Sequence, residues 1–188
     1  MSDEHPIAAI ATALVPSAIA VIRCSGHHCI ELVAPIFSDP DRLRRAHGHT
    51  LTHGFLSTPD NERLDDVIIA IYRAPRSYTG EESIELYCHG SPTGVRRIFS
   101  CLLSVGFAAA DPGEFTRRAF LNGKLDLTRA AAVNELVRAQ TTTAHSMALD
   151  RLAGSVERRA HAIRSELVAL MSQLAIQLDY PDDEIGDV

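Results

Sequence analysis

The stretch 112-PGEFTRRAFLNGKLDL-127 decides how the chain is organised. Pro112-Gly113 predicts a turn, and residues 114–121 are long enough for two turns of helix. Asn122-Gly123 predicts a second turn, because both residue types tolerate a positive φ. Either Asp126 or Thr128 can then cap a long helical region. The stretch therefore predicts a junction between a sheet domain and a helical domain.

The same stretch contains more charge than a junction requires. It carries two aromatic residues that are available for a core, Phe115 and Phe120, and three cations, Arg117, Arg118 and Lys124. A junction needs the glycine turn and the helix cap, but it does not need three cations. We therefore predict that this segment also presents positive charge to an anion.

The composition is that of an ordinary globular protein with a sizeable core. The 188 residues are 46% hydrophobic and 22% charged, with a net charge of −6. This charge excludes a surface that is basic throughout, so any contact with RNA must be local. No long apolar segment or signal peptide is recognisable, and the four cysteines lack Cys-x-x-Cys spacing. We expect reduced thiols, a cytoplasmic location and no membrane segment.

Before the junction, short apolar runs alternate with amphipathic segments. Ser25 is predicted to cap one helix and Ser91 a second one, and residues 39–45 read as a charged connector. The predicted strands are residues 7–11, 18–23, 47–57, 67–72, 83–88 and 107–110. This order predicts an α+β fold with a mixed sheet and helices.

After residue 128 the pattern becomes purely helical. Apolar residues recur every three or four positions from Leu149 to Leu178, which predicts one long helix that ends before Pro181. A single apolar stripe needs a partner, either a helix over residues 129–140 or another chain. The change of composition places the domain boundary near residue 122, with an α+β domain over 1–121 and the first part of a helical domain over 122–188.

Several kinds of site are not supported by the sequence. His47, His49 and His53 are predicted on one face of a strand, but no carboxylate or cysteine completes a metal-ligand spacing, so we predict no metal site. Gly123-Lys124 lacks the remainder of a Walker A motif, so this chain alone should not bind a nucleoside triphosphate. Adjacent Cys88 and His89 would point to opposite faces of a strand, and we predict no catalytic residue.

Three ionisable residues next to apolar runs are more informative. Arg23 ends a predicted strand, Glu85 lies within another, and Lys124 follows the tight turn. A charge beside a sheet core needs a partner. Either Arg23 and Glu85 form a structural bridge, or Glu85 accepts two hydrogen bonds from a ligand while Arg23 and Lys124 meet its anionic groups.

Three segments resemble the N-terminal part of the tRNA-modification GTPase family MnmE, also called TrmE. They are 77-SYTGEESIELYCHG-90, 112-PGEFTRRAFLNGKLDL-127 and 178-LDYPDDEI-185, and the similarity extends from about residue 7 to the end of the chain. The resemblance implies an α+β domain similar to the folate-binding domain of an aminomethyltransferase, which binds 5-formyltetrahydrofolate and forms a homodimer. A helical domain then carries an inserted GTPase domain.

The resemblance also implies a function for a longer parent protein, of which this chain is expected to be the N-terminal part. With the FAD enzyme MnmG, that parent adds an aminomethyl or carboxymethylaminomethyl group at C5 of the wobble uridine in tRNA. It uses GTP, Mg²⁺ and K⁺. Matched by motif, the folate contacts are Arg23, Glu85 and Lys124, and no catalytic residue is expected in this chain.

Two segments depart from the family pattern. A Gly-rich P-G-R-G-G stretch is replaced within residues 13–20, and the HGG that follows the Glu85 strand is His89-Gly90-Ser91. Larger side chains in place of glycine can narrow a close backbone approach to a ligand. The alternatives are a non-catalytic dimeric scaffold without ligand and, with less support, a stand-alone one-carbon transferase.

Overall fold

A computed structural model describes residues 5–179. The chain divides into two compact units, Met1–Lys124 and Leu125–Val188; the change of composition predicts this division after residue 121. Unit 1 contains a sheet with helices and unit 2 contains helices. The predicted α+β class, with an all-α segment after the sheet domain, is confirmed.

Unit 1 is built on a six-stranded mixed sheet of order β3-β4-β5-β2-β1-β6. Neighbouring strands are antiparallel except β1 and β6, which are parallel. Each strand corresponds to one of the apolar runs recognised in the sequence. The strands are β1 (Ile7–Ile10), β2 (Ser17–Ser25), β3 (Thr50–Ser57), β4 (Arg63–Tyr72), β5 (Ser83–Gly90) and β6 (Ala108–Ala109).

Three helices of unit 1, over residues 29–33, 40–45 and 92–104, pack with one face of this sheet to form the core. Alternate strand residues such as Ile22, Ile69 and Leu86 point to that face and are fully buried, together with Val33 and Leu102 from the helices. The opposite face carries Arg23 and Glu85, among others. The helices are α1 (Cys29–Val33), α2 (Pro40–Arg45), α3 (Pro92–Ser104) and α4 (Glu114–Leu121), with a 3₁₀ turn over Ala34–Ile36.

The structure corrects the start of the first helix. Ser25 ends β2 and does not cap α1: its hydroxyl lies 2.7 Å from Thr79 Oγ1 and donates to Glu81 Oε2 at 2.8 Å. The N-cap of α1 is His28, whose φ is 60° and whose side chain makes no capping bond. Ser91, in contrast, caps α3 as predicted by accepting from the Gly94 amide.

Two further predictions in this region are wrong. The charged connector is helix α2, in which Asp39 accepts a hydrogen bond from the Arg42 amide at 3.0 Å; an Asp before a Pro at the first helical position is a helix start. Strand β3 begins only at Thr50, and His49 has a φ of 63°. His47 and His49 therefore do not share a strand face with His53.

Unit 2 contains α5 (Leu127–Arg138), α6 (Thr142–Leu152) and α7 (Ser155–Asp179). Asp126 caps α5 by accepting from the Arg129 amide at 2.9 Å. The prediction of one continuous helix through Leu152 is wrong, because Gly154 has a φ of 79° and separates α6 from α7. Pro181 and most of the 178–185 motif lie outside the described residues. Across residues 5–179, no helix has the length and hydropathy needed to cross a membrane.

Candidate functional site

Arg23 and Glu85 form an ion pair on the sheet face opposite the core. They lie directly opposite each other on the antiparallel strands β2 and β5, which places both side chains on the same face. The Nε and Nη2 atoms of Arg23 each lie 2.8 Å from Glu85 Oε1. The Glu85 side chain is 17% exposed and that of Arg23 is 43% exposed. The pair is therefore shielded on the carboxylate side and open on the guanidinium side.

Tyrosines surround this pair. Tyr87 donates its hydroxyl to Glu85 Oε2 at 2.8 Å, and this bond, with burial, raises the pKa of Tyr87 to about 12. Burial and the charge of Glu85 also raise the pKa of Tyr72. The guanidinium carbon of Arg23 lies 5.9 Å from the centre of the Tyr78 ring, which is within the range of a cation–π contact. Both tyrosine hydroxyls beside Glu85 thus stay protonated at neutral pH.

The pair and the aromatic residues enclose a cavity of about 160 Å³, which we call the Glu85 cavity. Its lining residues are Arg23, Cys24, Tyr72, Tyr78, Thr79, Ser83, Ile84, Glu85 and Phe115. A carboxylate between aromatic walls suits a flat ring that has adjacent N–H and amino donors, since the walls can stack on the ring while the carboxylate accepts its hydrogen bonds.

Lys124 lies in a different cavity, of about 850 Å³, which we call the Lys124 cavity. Its Nζ donates to the Pro75 carbonyl at 3.0 Å, and the turn before it is made by Gly123 at a φ of 69°. Consecutive residues of one loop line the two cavities, Thr79 the smaller and Gly80 the larger. The structure therefore brings Arg23 and Glu85 together and places Lys124 apart from them.

Arg118 is an exception to the prediction that this segment presents its positive charge to an anion. Its side chain is only 2% exposed. It donates to Glu114 Oε1 at 2.8 Å and to the His5 carbonyl at 2.9 Å, and it lies 3.3 Å from Glu81 Oε2. Burial would raise the pKa of Glu114, but the Asp111 amide and Arg118 lower it below its ordinary value. Arg118 is therefore an internal structural cation.

The two aromatic residues of α4 behave differently from each other. Phe115 lines the Glu85 cavity, whereas Phe120 is 41% exposed, so its predicted place in the core is wrong. Sequence reasoning also missed the tyrosines as site residues. For Tyr87 a signal was present, because residues two apart on a strand share a face and Tyr87 follows Glu85 by two positions.

The segments that depart from the family pattern lie beside the site without lining the Glu85 cavity. In the described part of the chain, none of residues 13–20 contributes to its wall, and Val15 and Ile19 are 56% and 61% exposed. Gly90 is required, since a Cβ there would lie 2.1 Å from Ser17 Oγ. The residues at 13–20 therefore form no part of the wall around Glu85.

No metal site or disulfide accompanies these cavities. Within residues 5–179, no group of three histidine, cysteine or carboxylate side chains is placed to hold a metal ion. Cys24, Cys29, Cys88 and Cys101 are buried free thiols. Burial raises the pKa of Cys88 to about 11, which leaves it a poor nucleophile near neutral pH.

Comparison with known proteins assigns the family. The family model described as GTP-binding protein TrmE N-terminus matches residues 6–124, and the one described as MnmE helical domain matches residues 127–188.

Curated relatives agree with this assignment. The tRNA modification GTPase MnmE of Borrelia turicatae is 50% identical over 96% of the chain, which spans 39% of that relative. The proteins of the same name from Treponema denticola and Symbiobacterium thermophilum are 44% and 41% identical over 95% and 97% of the chain. The chain thus spans about two fifths of the length of these relatives. On these matches, the chain belongs to the MnmE (TrmE) family of tRNA modification GTPases, of which it carries the N-terminal domain and a helical-domain region.

Proposed function

We propose that unit 1 binds 5-formyltetrahydrofolate, with the pterin ring in the Glu85 cavity. The observation that carries the proposal is the carboxylate of Glu85 set between aromatic residues, with Arg23 opposite it on the next strand. A pterin offers a ring N–H next to an amino group, and a carboxylate accepts such a pair in a fork. Tyr72, Tyr78 and Phe115 supply the apolar walls for the ring.

The hydrogen bonds of Glu85 indicate how this binding proceeds. Oε1 accepts a hydrogen bond from Arg23 Nε and also lies 2.8 Å from Arg23 Nη2, while Oε2 accepts a hydrogen bond from Tyr87. Each carboxylate oxygen accepts about two. A fork that uses both oxygens therefore competes with Arg23 for Oε1. The ligand exchanges partners with Arg23, and the released guanidinium becomes available to its anionic groups.

The size of the cavity limits what it encloses. Its volume of about 160 Å³ is below the roughly 300–1,000 Å³ of sites that enclose a drug-sized ligand. The Glu85 cavity therefore takes one end of a folate, and the remainder of the molecule lies outside it.

We further propose that this region serves as the folate-binding and dimerisation part of a parent GTPase. That parent acts with an MnmG-like FAD enzyme on C5 of the tRNA wobble uridine, with GTP, Mg²⁺ and K⁺ bound by its other parts. Support for the homodimer comes from the sheet face opposite the core, where Ile19, Leu51 and Ile68 are 61%, 66% and 42% exposed. Exposed apolar residues gathered on one sheet face are typical of an interface. Light scattering of the chain at tens of micromolar should give twice the monomer mass of 20.5 kDa, and a monomer mass would contradict the dimer.

The folate proposal is tested by calorimetric titration of 5-formyltetrahydrofolate into the 188-residue chain and two variants. Glu85→Gln replaces one acceptor oxygen by a donor and removes the charge, so affinity should fall by at least about tenfold, as expected for a charged hydrogen bond. The control Glu62→Gln alters an exposed carboxylate that pairs with Arg97 at 2.6 Å, and it should leave affinity unchanged. Equal affinity of the wild type and Glu85→Gln would overturn the proposal.

A ligand-free scaffold is the second candidate, and one observation favours it. Arg23 and Glu85 already satisfy each other without a ligand, as a structural bridge would. Thermal unfolding separates the two candidates, because a ligand that binds only the folded state raises the melting temperature. A rise that grows with 5-formyltetrahydrofolate concentration supports binding, whereas an unchanged melting temperature at millimolar folate supports the scaffold.

A further inference from the structure

The loop between β4 and β5, over residues 73–82, supplies part of the wall of the Glu85 cavity. Tyr78 and Thr79 of this loop line the cavity, and Tyr78 is 39% exposed. A tyrosine with this exposure can change rotamer unless a second contact holds its ring. The shape of the cavity therefore depends on what fixes Tyr78.

Helix α4 and the turn after it hold this loop by side-chain hydrogen bonds. The hydroxyl of Tyr78 lies 2.9 Å from Thr116 Oγ1, and Asn122 donates from Nδ2 to the Thr79 carbonyl at 2.8 Å. These two bonds join residues that are 38 and 43 positions apart in the sequence. The same helix contributes Phe115 to the cavity wall. Helix α4 therefore forms one part of the wall and fixes another.

Thr116 differs from its neighbour Phe115, because it is not a lining residue of the Glu85 cavity. The contact that links Thr116 to the cavity is the bond to the Tyr78 hydroxyl. This bond defines one end of the tyrosine side chain, and the backbone of the loop defines the other. The same ring lies 5.9 Å from the guanidinium carbon of Arg23, so its position also affects the cation–π contact with that arginine.

We propose that Thr116 is a positioning residue of the Glu85 cavity, which holds the Tyr78 ring in place before a ligand arrives. This inference depends on the proposed function, since its effect is on the binding of a pterin ring against that wall. A side chain that is mobile in the free protein must be ordered when the ligand binds, and this ordering weakens binding. Loss of the Thr116 hydroxyl should therefore lower the affinity for the folate by roughly two- to tenfold.

The test is calorimetric titration of 5-formyltetrahydrofolate into the 188-residue chain and matched variants. Thr116→Val removes the hydroxyl at nearly constant volume and should weaken binding by that factor, whereas Thr116→Ser keeps the hydroxyl and should retain most of the affinity. Thr93→Val is the matched control. Thr93 is an exposed threonine of α3 that lines a separate cavity beside that helix, so its replacement should leave the affinity unchanged.

A double-mutant cycle tests whether Thr116 acts through Tyr78. Tyr78→Phe removes the same hydrogen bond from its other end and keeps the ring. If this bond is what positions the ring, Tyr78→Phe and Thr116→Val should weaken binding equally, and the double variant should bind no more weakly than either single variant. Losses that add in the double variant would mean that the two hydroxyls act independently, which overturns the positioning of Tyr78 by Thr116.

The outcomes separate this inference from the proposed function. A wild type that binds the folate as tightly as Thr116→Val does overturns the positioning residue and leaves the ring site standing, and so does a Thr116→Ser variant as weak as Thr116→Val. Failure of the wild type to bind the folate overturns both. Weaker binding in Thr116→Val that is restored in Thr116→Ser and is not increased by Tyr78→Phe supports the inference.

Discussion

The arginine–glutamate clusters around Arg118 and around Arg23 in unit 1 differ chiefly in burial. In the first, Arg118 is 2% exposed and reaches Glu114, Glu81 and a backbone carbonyl. In the second, Arg23 is 43% exposed and bonds to Glu85 at the wall of the Glu85 cavity. The two arginines look equivalent in the sequence, since both lie next to apolar residues. Arg118 has exchanged almost all contact with solvent for partners inside the protein, which suits a structural role. Arg23 keeps an exposed side that a ligand can contact.

The largest effect should follow removal of the buried arginine. Arg118→Met leaves Glu114 and Glu81 without their strongest partner in a buried setting, so we expect a loss of about 3 kcal/mol or more in the free energy of unfolding. Urea denaturation followed by the near-ultraviolet circular dichroism of the tyrosines measures this loss, as three of the four tyrosines lie in unit 1.

The neighbouring arginine provides the control for this change. Arg117 is on the same helix, is 53% exposed and lies 3.5 Å from Glu114, so Arg117→Met should cost less than about 1 kcal/mol. Similar losses for the two variants would show that burial does not separate the two clusters.

A smaller effect is expected at the open cluster. Arg23→Met removes a half-exposed partner of Glu85 and leaves the Tyr87 bond in place, so the free energy of unfolding should change by about 1 kcal/mol or less. The same denaturation series measures it. A loss as large as that of Arg118→Met would make the Arg23–Glu85 pair structural and would favour the scaffold.

The tyrosine bond of the open cluster should be visible at alkaline pH. The pKa of Tyr87 is raised from 10 to about 12 by Glu85. Because the folded-state value is the higher one, the stability that this bond contributes is fully present below pH 10 and is lost as the pH rises towards 12. Ultraviolet titration of the native protein should show late ionisation of tyrosines, and Tyr87→Phe should remove the component that ionises last. Its persistence in the variant would place the raised pKa on another tyrosine.

The sequence predicted the α+β class, the six strands and the pairing of Arg23 with Glu85 as one of two readings. These features follow from local patterns, since apolar runs, caps and turn dipeptides act over a few residues. Burial of Arg118 depends on Glu81 and on the His5 carbonyl, which are distant in the sequence, and no local pattern reports such contacts. Local patterns also do not report that Lys124 and Glu85 lie in different cavities, because this too depends on contacts between residues that are distant in the sequence.

Helical periodicity in unit 2 shows another limit of prediction from the sequence. The apolar stripe predicted helix correctly on both sides of Gly154, but periodicity does not reveal that this residue has a φ of 79°. Glycine was the available signal, because it costs about 1 kcal/mol inside a helix and ends helices readily. The Ile163, Leu167 and Leu174 side chains of α7 are 60%, 55% and 58% exposed, so the partner required by the stripe is not supplied within residues 5–179.

The smallest effect should appear at a third ion pair, which extends the comparison to a largely exposed histidine. His89 is 73% exposed and its Nδ1 lies 2.7 Å from Asp65 Oδ1; the hydrogen bond and charge of Asp65 raise the pKa of His89 above 6.5, with a lesser contribution from Asp66. Its contribution to stability is therefore present in full below pH 6.5 and is lost as the pH rises through the raised value. Asp65→Asn should lower the pKa measured by NMR titration of His89 more than the control Asp66→Asn does, because only Asp65 supplies the hydrogen bond. Equal shifts in the two variants would mean that general surface charge, and not this contact, holds the proton on His89.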